Sequence, residues 1–208
     1  MPIVHAAERF VVVAKPAGML SVPGKGPDKA DCAAARVLRM FPRATGPLVV
    51  HRLDMETSGL MVLALDTDAQ RDLSAQFEAR TVEKAYIALL PRGGPDDLAD
   101  EGLVSLPLRA DIDHRPLQVV DHRRGREAAT RWRVLLREAD RLRVRFEPVT
   151  GRTHQLRVHA AAGLARPIIG DVLYGGEPAE RLMLHAAALS FLEPGTRRRV
   201  SFESPPPF

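Results

Sequence analysis

The stretch with the densest reactive groups is His51-Arg52-Leu53-Asp54-Met55-Glu56-Thr57-Ser58-Gly59-Leu60. An acid stands there beside an arginine and a histidine, in a loop expected between two short apolar runs. Loops held by a rigid sheet are where reacting groups usually sit. A single carboxylate can act as a nucleophile or a proton acceptor if it is ionised and held in place. The same aspartate could equally be a turn former, and the segment alone leaves both readings open. His154 and His159 are five apart, with His185 further on. Five is a poorer spacing than four for two metal ligands on one helix face, so no metal is expected. There is no Walker-type or dinucleotide glycine pattern. Cys32 is the sole cysteine, which rules out an internal disulfide and a zinc site of several thiolates. It reads as a small residue packed on a helix face.

The elements that must position these groups follow from periodicity and punctuation. Phe10 to Ala14 is a short β-branched run stopped at Lys15-Pro16 and predicts a strand. Asp31 to Phe41 predicts a helix halted by Pro42. Leu48-Val49-Val50 and Gly59 to Leu65 predict strands around the loop at residues 51–58. Thr67 with Gln70 three residues on fits a capping box for a helix running to about Glu78. Lys84 to Leu90 predicts a strand. Trp132, Val134 and Leu136 alternate with Arg131, Arg133 and Leu135, and Leu142, Val144 and Phe146 alternate with arginines. Both stretches predict half-buried antiparallel strands with one apolar and one basic face. Thr153 to Ala162 predicts a helix with Gly163 as its left-handed cap. Leu182 to Leu192 predicts another buried strand. The mixture predicts an α+β domain around a mixed, largely antiparallel sheet with flanking helices. One catalytic domain over 1–208 is expected, in two halves with a boundary near 92–97. Pro205-Pro206-Pro207-Phe208 reads as an extended tail.

The 208 residues are 45% hydrophobic and 27% charged, ordinary values for a globular protein. No apolar run is long enough for a membrane helix, and the N-terminus lacks the pattern of a secretory signal. A cytoplasmic protein without membrane contact is expected. Net charge is +4, and lysine occurs only at positions 15, 25, 29 and 84, leaving 26 of the 30 basic residues as arginine. Arginine suits phosphate contact and stacking on bases, and a GC-rich genome gives the same bias.

His51-Arg52-Leu53-Asp54 followed by Thr57-Ser58-Gly59-Leu60 resembles the signature of the RluA-type pseudouridine synthases. Four further segments agree in order: Lys15-Pro16-Ala17-Gly18, Lys84-Ala85-Tyr86, Gly151-Arg152-Thr153-His154-Gln155-Leu156-Arg157-Val158-His159 with Pro167 to Asp171 and Tyr174-Gly175 behind it, and Leu184-His185-Ala186. The resemblance spans roughly residues 10–192 and is greatest to compact members without a preceding RNA-binding domain.

The resemblance implies the pseudouridine synthase fold with a catalytic cleft, and isomerisation of uridine to pseudouridine in structured RNA without a cofactor. It implies Asp54 as the catalytic carboxylate, Arg152 as its cationic partner and Tyr86 as the ring stacked on the target base. A uridine in folded RNA must first leave its stack. Arg52 matches the residue that fills the vacated space. His51 is expected to be structural or an RNA contact, His154 a substrate-side residue of the third motif, and Leu184 either a floor of the uracil pocket or a plain core leucine. The partner implied is a large-subunit ribosomal RNA stem-loop, a tRNA anticodon stem-loop, or both, and a monomer is expected. Two rivals stand beside this: an RNA-binding or ribosome-assembly protein that keeps the fold without activity, and a metal-assisted hydrolase.

Overall fold

The computed structural model describes residues 1–26, 29–93 and 98–208. The chain forms two compact units, residues 1–84 with 186–207 and residues 85–185 with 208. The change of unit thus falls after Lys84 and after His185. Of the expected boundary at 92–97, residues 94–97 lie outside the described residues.

The first unit contains β1 (Ile3–Ala6), β2 (Phe10–Lys15), α1 (Ala33–Met40), β3 (Ser58–Ala64), α2 (Thr67–Glu78) and β11 (Arg199–Glu203), with most of β10 (Leu184–Leu192). Its strand order is β1-β2-β3-β10, with β11 on β10. The pairings β1–β2, β2–β3 and β10–β11 are antiparallel. β2 and β3 are buried almost throughout. That is why they read as continuous apolar runs, since both faces are covered. Phe10, Val12, Leu60, Val62, Leu73 and Phe191 form the core here.

The second unit contains nearly all of β4 (Glu83–Pro91), then β5 (Glu101–Ser105), β6 (Leu108–Ala110), β7 (Gln118–Val120), β8 (Ala129–Arg137), β9 (Arg141–Pro148) and α3 (Gln155–Val158), which runs into a π turn at His159–Gly163. Its strand order is β4-β9-β8-β5, antiparallel throughout, and β6–β7 is a separate hairpin. Leu90, Trp132, Leu142, Phe146, Leu156 and Ile168 belong to its core. The architecture is the α+β class read from the sequence, dominated by sheet.

Several local expectations are corrected. The cap of α2 is Asp66, whose carboxylate accepts the Ala69 N–H at 2.8 Å, so the helix starts one residue earlier than a Thr67 cap would require. Asp66 also takes a bidentate ion pair from Arg9 at 2.7 and 2.8 Å, which holds its pKa down to about 2. Cys32 is the N-cap of α1, its Sγ accepting from Ala35 N at 3.4 Å. It is not packed on a helix face. Leu48 to Val50 forms only a single bridge, Val49 to Leu63. Gly163 does not cap the helix in a left-handed conformation, because it sits inside the π turn and packs on Val104. The left-handed residue is Ala165, at φ 51°. A bulge between Val134 and Leu136 breaks the β8 alternation and leaves Leu135 and Leu136 both exposed.

Candidate active site

In the first unit, β2 ends at Lys15, β3 begins at Ser58, and the loop carrying Asp54 leads into β3. Lys15 is buried although charged, and its ammonium donates to the carbonyls of Pro16 at 3.0 Å, Met19 at 2.7 Å and Met55 at 2.9 Å. An ammonium has three protons to give, and these acceptors tie the segment after β2 to the residue following Asp54. On the other side, the Ser21 hydroxyl donates to the Leu53 carbonyl at 2.7 Å and accepts the Leu53 N–H at 3.0 Å. The Asp54 carbonyl accepts the Thr57 N–H at 3.1 Å, closing a turn. Gly59 has a φ of 114°, and a Cβ there would run into the backbone of Ala186. Only glycine lets β3 lie this close to β10.

Within this frame the Asp54 carboxylate is partly exposed and makes no hydrogen bond or ion pair with a described residue of its own unit. Arg52 is exposed and likewise unpaired there. His51 points inward. Its Nε2 accepts the Val62 N–H at 3.1 Å, and its ring stacks on Phe77 at 4.5 Å and 18°. Burial, with the Lys84 charge adding to it, pushes its pKa down to about 3. His51 is therefore neutral and holds the start of the loop against β3 and α2.

In the second unit, Tyr86 lies on β4 opposite Phe146 and packs against the core cluster that contains Leu184. Leu184 is buried in that cluster. Arg152 sits in the turn between β9 and α3. Its N–H donates to Gln155 Oε1 at 3.0 Å, and its Nε donates to the Glu127 carbonyl at 3.1 Å. Gln155 also accepts the Thr150 hydroxyl at 2.6 Å and donates to Ala129 O and Thr130 Oγ1. One buried amide thus fixes the Arg152 turn to β8. His154 occupies a left-handed conformation, φ 52°, with Nδ1 2.8 Å from the Tyr174 hydroxyl. That hydroxyl receives the Gln118 N–H at 2.9 Å. Below it, Arg157 and Asp171 form a buried bidentate ion pair at 2.6 and 2.8 Å.

The structure thus groups the expected residues as Asp54, Arg52 and His51 in one unit and Tyr86, Arg152, His154 and Leu184 in the other. His159 is committed within the fold. Its Nε2 faces the Leu106 carbonyl at 3.2 Å, so the proton lies on Nε2, and Nδ1 accepts from the Thr130 hydroxyl at 2.9 Å. No group of three or more His, Cys, Asp or Glu residues that could hold a metal ion occurs among the described residues.

The sequence assigns no role to Ser21, Gln155 or Tyr174, although the last two stand in the third motif segment; all three position backbone and side chains from outside the reacting set. The role of Ser21 leaves no mark in its residue type, because any loop serine looks alike. Four arginines of the hairpin region, Arg115, Arg123, Arg124 and Arg126, were also missed. They are exposed and make no side-chain hydrogen bond or ion pair with described residues. Asp121 instead caps the N–H groups of Arg123 and Arg124 and pairs with Arg109. The His122-Arg123-Arg124-Gly125-Arg126 run was the available signal.

Residues 9–162 match the family model described as RNA pseudouridylate synthase. A dual-specificity RNA pseudouridine synthase RluA of Pasteurella multocida is 43% identical over 213 residues, covering 100% of this chain and 94% of that protein. The protein of the same description from Escherichia coli is 41% identical, covering 99% and 93%. Among solved structures, human RNA pseudouridylate synthase domain containing 1 superposes with a TM-score of 0.79 at 29% identity, covering 99% of this chain and 83% of that one.

Proposed function

Since the chain belongs to the RNA pseudouridylate synthase family and is an enzyme that isomerises uridine to pseudouridine in RNA, we propose that Asp54 is its reacting carboxylate, with Tyr86 and Arg152 completing the site. The observation that carries this reading is the Asp54 loop itself. Backbone groups on both sides of Asp54 are pinned by buried side chains, while the carboxylate is spent on no partner within its unit. That is the economy expected of a group held for chemistry.

The reaction conserves every atom. The bond from ribose C1′ to uracil N1 breaks, the base turns in place, and C1′ bonds to C5. The proton displaced from C5 is lost and N1 gains one. Asp54 deals with the sugar or the base during this exchange. Arg152 is the cation that this reading assigns to the reacting carboxylate. Tyr86 supplies a flat ring on which the extruded base stacks, and Leu184 packs beneath it. The chemistry is internal, so it calls for neither cofactor nor metal.

The substrate is a structured RNA. The relatives' description as dual-specificity enzymes supports a large-subunit ribosomal RNA stem-loop and a tRNA anticodon stem-loop as the two targets. Arg52, His154 and the exposed arginines at 115, 123, 124 and 126 serve the RNA, Arg52 by occupying the place of the flipped base. No helix among the described residues is long and apolar enough to cross a membrane. The reading places a monomer at work in the cytoplasm.

The test is Asp54→Asn on both transcripts, with pseudouridine mapped chemically and RNA binding measured in parallel. Product formation falls by at least about a hundredfold while binding persists. Normal turnover in this variant refutes the assignment.

A further inference from the structure

Asp54 has no partner in its own unit to orient its carboxylate, so within that unit its backbone sets where it points. Three contacts govern that backbone. The Asp54 carbonyl closes a turn with Thr57 N, Met55 O is held by Lys15, and Leu53 is held at both of its polar groups by Ser21. The last contact is the most restrictive. One hydroxyl donates to Leu53 O at 2.7 Å and accepts from Leu53 N at 3.0 Å, acting as a one-residue strand partner. Ser21 is itself buried, at 3% exposure, and Leu53 is at 6%. Water therefore has little room to replace the hydroxyl if it is removed. The hydroxyl's proton and one of its lone pairs are committed, so its rotor is fixed, and with it the peptide plane that leads into Asp54.

We propose that Ser21 is a positioning residue of the isomerisation, fixing the direction of the Asp54 carboxylate through the Leu53 backbone. This rests on the reading of Asp54 as the reacting group. Ser21 touches neither substrate nor reacting atoms. Its loss frees the Leu53 peptide to rotate, and displacement of a reacting group by about 1 Å costs on the order of a hundredfold in rate.

A matched control exists in the same unit. Gln76 on α2 bridges the two polar groups of Leu192 in the same manner, accepting Leu192 N–H at 2.8 Å and donating to Leu192 O at 2.8 Å. It is also buried and has no part in the site. The experiment compares Ser21→Ala, Ser21→Cys and Gln76→Ala with the intact chain, by thermal unfolding and by steady-state kinetics on an anticodon stem-loop transcript. Ser21→Ala lowers kcat on the order of 10- to 100-fold with KM nearly unchanged. Ser21→Cys, which keeps a weak donor and acceptor, falls between, and carries the test if the alanine variant does not fold. Gln76→Ala loses stability but retains kcat. An unchanged kcat in a Ser21 variant overturns the proposal, as does a loss of kcat in Gln76→Ala proportional to its lost stability. Asp54→Asn is run alongside. If that variant turns over normally, the reading of Asp54 fails. If it is inactive while Ser21→Ala is normal, only the role of Ser21 fails.

Discussion

Replacing Asp171 by asparagine tests how the second unit holds its motif loop. Asp171 and Arg157 are 0% and 3% exposed at their side chains and share two hydrogen bonds of 2.6 and 2.8 Å. Asp171 Oδ1 also accepts the Leu173 N–H at 3.1 Å, and the Arg157 guanidinium lies 5.2 Å from the centre of the Tyr174 ring, whose hydroxyl meets His154. Asparagine keeps the shape and the Leu173 contact but removes the Asp171 charge beside the buried guanidinium. Breaking a buried pair from one side costs about 3–5 kcal/mol, mostly the penalty of the stranded charge. At about 2–4 °C per kcal/mol for a chain of this size, Tm falls by about 6–20 °C. Thermal and urea unfolding followed by circular dichroism measure it. The double variant Arg157→Met with Asp171→Asn removes the stranded charge and recovers at least about 1 kcal/mol over the single one. A single variant within about 1 kcal/mol of the intact protein, or a double variant that is no better than it, refutes the account of the pair.

Three other outcomes follow from the same physics. His51 and His159 have folded pKa values depressed by burial, His51 to about 3, so the unfolded chain binds protons more readily than the folded one below about pH 6.5. Their contribution is complete above that pH and lost as pH falls, with a slope of up to about 1.4 kcal/mol per pH unit for each histidine; urea midpoints between pH 7 and 5 should fall, less steeply in His51→Phe, and a flat profile contradicts this. Gly59→Ala forces a Cβ into the Ala186 backbone at a φ of 114°, so it should destabilise by about 2 kcal/mol or more by urea denaturation, and a neutral result removes the close approach. Arg123→Ala with Arg124→Ala should weaken RNA binding regardless of sequence and flatten the slope of log K against log salt by about 1–2, and an unaltered slope takes these residues off the RNA.

The local sequence determined much of this protein. The apolar runs of β2, β3 and β10 are legible because burial on both faces leaves no room for polar alternation. The alternation in β8 and β9 is legible because one face meets the core and the other meets water. The five ordered motifs carry the family and its chemistry, since residue type and order are themselves the signal. Other features were decided only in three dimensions. The carboxylate of Asp66 both caps α2 locally and pairs with Arg9, 57 residues away, and only the second contact needed the fold. Leu48 to Val50 has strand-forming side chains but bonds to β3 through one bridge, because intrinsic β-preference yields to the available partners. The roles of Ser21 and Gln155 exist only once Leu53 and Arg152 lie within hydrogen-bond reach. Periodicity records which side chains must avoid water. Which polar group meets which is settled by contacts between residues far apart in the chain, so it becomes visible only when the chain is folded.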